Sequence, residues 1–167
     1  MSSRSDPERP VLVITTGGTI DKVYFDALSS YQVGESQIAR LLALARVTHP
    51  FQVVELMRKD SLELDDGDRD RIYAAVAGAE TPYIVVTHGT DTMTTTARRL
   101  AFPDRTVVLV GSLSPARFSE SDAAFNLGMA FAAAQIAAPG VYITMNGTVF
   151  DADRVVKDRD RGAFISS

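Results

Sequence analysis

The chain has 167 residues, enough for one domain with a real core, and its 46% hydrophobic and 23% charged content excludes a disordered, collagen-like or coiled-coil chain. A formal charge of −4 with no basic block leaves no electrostatic footprint for nucleic acid or an anionic membrane. The absence of cysteine excludes disulfides, thiolate catalysis and cysteine-held metal; only His49 and His88 could serve as histidine ligands, in unlike contexts, so neither a metal nor a cofactor is expected.

Residues 1–10 are polar and lack the apolar core of a signal peptide, so they are expected to be a loose tail ahead of one domain over residues 11–167. No apolar run approaches the roughly 20 residues of a membrane span, and a cytoplasmic location is expected. Val11–Thr15 is the first of five short, continuously apolar, β-branched runs. The others are Phe51–Met57, Tyr83–Thr87, Thr106–Val110 and Val141–Met145. Such runs suit parallel strands covered on both faces. Between the first two runs, residues 21–34 show no periodicity and read as a lid-like or disordered loop. Glu35–Arg46 then repeats Ile38, Leu41, Leu42 and Ala45 at helical spacing, and Asp65–Ala79 does the same with Ile72, Ala75, Val76 and Ala79. Thr92–Ala101 and Ser121–Ala138 complete the helices, the latter alanine-rich and readable either as core or as an oligomer surface. Residues 151–167 read as a terminal hairpin or arm. The alternation predicts a doubly wound α/β domain with its ligand site at the strand C-terminal ends.

Three polar clusters stand at those ends. Thr15-Thr16-Gly17-Gly18-Thr19-Ile20 places two glycines and flanking hydroxyls after the first run; it lacks the third glycine and prompt helix of a dinucleotide fingerprint. Thr87-His88-Gly89-Thr90-Asp91-Thr92-Met93 precedes a helix. An N-cap accounts for one or two of these residues but not for the whole set. Lys59-Asp60-Ser61-Leu62-Glu63-Leu64 follows the second run and on its own reads as a loop with a capped helix.

Together these segments resemble the amino-terminal domain of the bacterial-type L-asparaginases, the asparaginase/glutaminase family. Thr16-Gly17-Gly18-Thr19-Ile20 and His88-Gly89-Thr90-Asp91-Thr92-Met93 match its two signature motifs. The match continues through Gly111-Ser112, Pro115, Ser121-Asp122, Phe125-Asn126-Leu127, Met145-Asn146 and Val155-Val156-Lys157. The resemblance implies a flavodoxin-like α/β fold in one domain, a mainly parallel sheet with helices on both faces. It also implies hydrolysis of L-asparagine to L-aspartate and ammonia, by an acyl-enzyme or direct-displacement step. It implies Thr19 as nucleophile, Tyr31 as the tyrosine of the mobile loop, and Thr90, Asp91 and Lys157 as a second hydroxyl–acid–amine group; Tyr24 lies in the same loop as Tyr31. Around the substrate it implies Gly18, Asp60, Ser61, Gly89, Thr90, Asp91 and Ser112, with Ser61 on the α-carboxylate and Asp91 on the α-ammonium.

The chemistry is consistent with these roles. A threonine hydroxyl needs a base, and Lys157 serves only if burial outweighs the opposite pull of Asp91. Glycine-flanked turns at Gly18 and Gly89–Thr90 offer N–H donors for an oxyanion. Lys157 is one of only three lysines against fourteen arginines, which makes its position informative. Members of the family carry a second, carboxy-terminal domain, and a glutamate of the neighbouring subunit touches the loop tyrosine. The 167 residues match the amino-terminal domain alone. A short form completed within a homo-oligomer, a dimer or tetramer, is therefore expected; a piece of a longer protein and a binding relic are the other readings. Asp21, Asp26 or Glu35 could replace the absent glutamate. A module that binds aspartate or asparagine without turnover, or an amidase for another amide such as glutamine, are the alternative functions.

Overall fold

The computed structural model describes Asp6 and residues 8–167. The expected tail over residues 1–10 lies partly outside them; of its described residues, Asp6 donates its N–H to the Tyr83 hydroxyl and the Arg9 carbonyl meets His49 Nε2. The strands are β1 (Val11–Gly17), β2 (Lys22–Phe25), β3 (Ser30–Val33), β4 (Phe51–Lys59), β5 (Tyr83–Thr87), β6 (Thr106–Val110), β7 (Gly140–Met145), β8 (Thr148–Asp151), β9 (Val155–Asp158) and β10 (Ala163–Ser166). The helices are α1 (Ile38–Leu44), α2 (Asp66–Ala77), α3 (Met93–Arg99) and α4 (Ala123–Ile136).

The central sheet runs β4-β1-β5-β6-β7-β8, with its first five strands parallel and β8 turned back against β7. This is the flavodoxin-like order, in which the chain steps outward from β1 to β4 and then crosses to β5 on the other side. The five apolar runs are these parallel strands. β5 and β6 are buried at every residue because neighbouring strands and helices enclose them. Their side chains alternate between two cores. Val85, Val108 and Val110 pack with Val11, Val13, α1 and α4; Ile84, Val86, Val107 and Leu109 pack with Ile14, α2 and α3. Each fully buried Val, Leu or Ile contributes roughly 1.5–3 kcal/mol, so the layers are held mainly by these alternating rows.

Two expectations need correction. The second run was expected to be covered on both faces. As β4 it is the outermost strand, half exposed along its length, with Val54 46% accessible. The segment over residues 21–34 is not an irregular loop: β2 and β3 form an antiparallel hairpin pairing Lys22 with Val33 and Tyr24 with Tyr31. Its strands show no alternation because neither face is fully covered. The alanine-rich α4 is core on its inner side, through Ala123, Leu127, Ala130, Phe131 and Ala134. Its outer side still exposes Phe125 and Ile136. The terminal segment forms the expected hairpin, β9–β10. Among the described residues no helix is long and apolar enough to cross a membrane.

Candidate active site

In a doubly wound sheet the ligand crevice opens where the winding reverses, here between the C-terminal ends of β1 and β5. The two ends are tied together: the Thr16 hydroxyl donates to the Thr87 carbonyl at 2.6 Å. Beyond them the backbones touch. Gly18 lies in the left-handed region at φ 87°, and a Cβ on it would stand 2.5 Å from the Gly89 nitrogen. A Cβ on Gly89 would in turn stand 2.6 Å from both Cβ and Oγ of Ser61, at the end of β4. Three turns thus meet within van der Waals contact. Thr19 follows one contact glycine, Thr90 follows the other, and Ser61 lies against the second.

Thr19 opens a single 3₁₀ turn, Thr19–Asp21, and is half-buried; its hydroxyl makes no hydrogen bond among the described residues. The turn is held at both ends, by Asp21 N–H donating to the Gly18 carbonyl and Ala116 N–H donating to the Ile20 carbonyl. Beyond the Gly89 turn, Lys157 Nζ donates to Thr90 Oγ1 at 2.7 Å and to Asp91 Oδ1 at 2.9 Å, distances that permit proton transfer. Arg159 lies 3.6 Å from the same Asp91 oxygen and is largely exposed. Lys157 reaches the crevice because β9 is anchored by buried Val155 and its partner strand by buried Phe164, whose N–H takes the Asn146 side-chain oxygen. Ser61 is buried with its hydroxyl unpartnered, against Gly89; Thr92 Oγ1 donates to its carbonyl.

The remaining predicted residues stand as follows. Tyr31 is half exposed on the hairpin, its ring edge-on to Tyr24 at 5.4 Å and to Phe118 at 6.1 Å. Tyr24 and Tyr31 are directly opposed across the hairpin and share one face. Asp60 is engaged within the protein, accepting from Leu62 N–H and paired with Lys22 at 2.7 Å. Ser112 donates to the Ser114 carbonyl. The Gly18 N–H donates to the Lys59 carbonyl, so it is not a free oxyanion donor. Of the three carboxylates suggested as replacements for a partner glutamate, Asp21 is buried and accepts from Gln37 N–H, facing inward; Asp26 and Glu35 are exposed at the tip and base of the hairpin.

His88 has a role the sequence reading did not reach. It is fully buried, and burial holds its imidazole down at about 4, with the nearby Arg69 charge acting in the same direction and the Gly89 hydrogen bond opposing. The neutral ring therefore donates one N–H. Nδ1 lies 2.7 Å from the Gly89 carbonyl, which can only accept, so Nδ1 carries the proton. Nε2 accepts from Thr96 Oγ1, and Arg69 Nε donates to that same hydroxyl. In a trans peptide the C=O and the next N–H point in opposite directions. Tying the Gly89 carbonyl to His88 aims the Thr90 N–H away from the core. The position of His88 directly before Gly89-Thr90 was the available signal.

A cleft of about 760 Å³ lies elsewhere, between β1, β4 and α2. It is floored by Leu12, Ile14, Val54 and Ala75, and its one hydroxyl, Thr81, donates to the Pro10 carbonyl. Nothing there activates a nucleophile. Among the described residues no group of three His, Asp or Glu is placed to hold a metal.

A family model described as asparaginase, N-terminal, matches residues 10–166. The chain belongs to the asparaginase family. It is 31% identical over 159 residues to the L-asparaginase of Thermococcus kodakarensis, a match covering 91% of this chain and 48% of that one. It is 32% identical over 167 residues to L-asparaginase 2 of Escherichia coli, covering 88% and 46%. The solved Thermococcus kodakarensis enzyme superposes with a TM-score of 0.83 at 32% identity, over 94% of this chain and 51% of that one. The chain spans about half the length of these asparaginase relatives.

Proposed function

We propose that the chain is an amidohydrolase that converts L-asparagine to L-aspartate and ammonia, with Thr19 as nucleophile. The observation that supports this reading is the contact of the Gly18–Thr19 turn with the Gly89–Thr90 turn, the latter continuing into the Thr90 and Asp91 side chains that bond Lys157.

In this reading Ser61, buried and unpartnered, binds the substrate α-carboxylate, and Asp91 faces its ammonium. The Thr19 oxygen adds to the side-chain amide carbonyl, and the developing oxyanion takes the Thr90 N–H. Ammonia leaves with the proton taken from Thr19, and an ester remains. Thr90, with its oxygen 2.7 Å from Lys157 Nζ, directs a water at that ester, releasing aspartate and restoring the Thr19 hydroxyl. Tyr31, on the hairpin that begins three residues after Thr19, closes over the turn. A relative from Acinetobacter glutaminasificans, 27% identical, is named glutaminase-asparaginase, so glutamine is the competitor to measure.

The test is ammonia release by the purified chain from L-asparagine, L-glutamine and larger amides. Release from asparagine, faster than from glutamine, is the expected result; no release from any amide overturns the proposal. Assembly into a dimer or tetramer belongs to the same reading, with the outward face of α4 and its exposed Phe125 and Ile136 as the surface. A monomer mass by light scattering removes that part.

A further inference from the structure

The hairpin bearing Tyr31 leaves and rejoins the body of the protein at a single acidic residue. Asp21 closes the Thr19 turn through its N–H, which donates to the Gly18 carbonyl at 3.2 Å. Its carbonyl accepts from Gly34 N–H at 2.9 Å, one residue past β3. Its carboxylate, 1% exposed, accepts from Gln37 N–H at 2.8 Å, the residue that starts α1. The nucleophile's turn, both feet of the hairpin and the first turn of a packed helix are thus joined at one residue, the first two through its backbone and the helix through its carboxylate. That side chain is enclosed and faces no substrate.

We infer that Asp21 is a positioning residue of the proposed amide-hydrolysing site: its ionised carboxylate clamps the hairpin base to α1 and so sets where Tyr31 stands relative to Thr19. This rests on the function proposed above. A carboxylate accepts an N–H bond roughly twice as strongly as a neutral acid, so the clamp is firm when Asp21 is charged and slack when it is protonated. Burial pushes the Asp21 carboxyl up to about 6, while Gln37 N–H and the Ser36 hydroxyl pull it down. The charged groups facing it are Glu55 and Arg58 of β4, themselves paired at 2.8 Å, which oppose one another; Glu35 acts on Arg58. The clamp therefore changes state in mildly acidic solution.

The test is an NMR titration of the labelled full chain, from about pH 5 to about pH 8, beside kcat/KM for asparagine over the same range. In the native protein the Gln37 amide and the Tyr31 ring resonances move together with a midpoint near 6, and kcat/KM falls about tenfold below it. In Asp21→Asn all three movements disappear. The inference is overturned if the Gln37 amide does not titrate, if it titrates while Tyr31 stays still, or if Asp21→Asn keeps the kinetic limb. The native titration needs no variant to fold. A chain that hydrolyses no amide refutes the proposed function alone, and the Gln37 and Tyr31 resonances still decide whether the clamp exists.

Discussion

Replacing Lys157 by methionine separates what this residue does for the fold from what it does for the chemistry. The ammonium is 18% exposed and makes two short bonds, to Thr90 and to an Asp91 carboxylate that is 33% exposed. Hydrogen bonds to charged groups contribute about 1.5–3 kcal/mol. Methionine keeps the apolar stem, and Arg159 remains 3.6 Å from Asp91 to offset part of the freed charge. The expected loss of stability is therefore about 1–2 kcal/mol. Losing a positioned proton donor and acceptor slows turnover about 10²–10⁴-fold, which is roughly 3–5 kcal/mol of transition-state stabilisation. The rate must fall by more than the fold weakens. Lys157→Arg sharpens the test, because the guanidinium keeps the charge and the bond to Asp91 but does not give up its proton. It should restore stability without restoring rate. Urea denaturation and ammonia release on the same preparations give both quantities. A folded Lys157→Met protein with activity within threefold of native, or a Lys157→Arg protein that recovers full rate, refutes the reasoning.

Other consequences follow from contacts near the site. Gly89→Ala places a methyl 2.6 Å from Ser61 Oγ, so it should weaken the fold by about 1–3 kcal/mol and raise KM more than it lowers kcat; an unchanged KM contradicts the placement of Ser61 at the substrate. Two buried groups make opposite contributions to acid stability. Asp21 is raised from 3.8 to about 6, so its ionisation weakens the fold as pH rises through that window, by up to about 3 kcal/mol. His88 is lowered from 6.5 to about 4, so the stability of its neutral form is lost as pH falls through that range, by a similar amount. The two nearly cancel in the native protein. Asp21→Asn should therefore be the more stable protein near neutrality, and its advantage should vanish as pH falls toward 4; denaturation curves showing the same advantage at every pH contradict the burial argument.

The parallel core was legible because β1, β5 and β6 are covered on both faces, and continuous apolar runs mark such strands directly; β4 carried the same kind of run although it stands half exposed at the sheet edge. The hairpin was not legible for the same physical reason: Tyr24, Phe25 and Tyr31 stand in water on strands whose other face is only partly covered, so no period of two appears. The site motifs were visible as clusters of Gly, Thr, Asp and His after strands. Their internal bonding was not. That the Lys59 carbonyl takes the Gly18 N–H, that Lys22 takes Asp60, and that Arg69 holds the Thr96 hydroxyl against His88 depend on contacts between segments distant in the chain. Asp21 stood in the sequence as a polar loop residue; only its burial beneath the hairpin shows that it faces the backbone of α1 rather than a substrate.

The central claim is that the Thr19 oxygen is the attacking group. Its most direct measurement is the rate of ammonia release from L-asparagine by the native chain, Thr19→Ser and Thr19→Ala, each shown to be folded. A measurable rate that survives in part with serine and disappears with alanine is the predicted outcome. An alanine variant as fast as the native protein would contradict it.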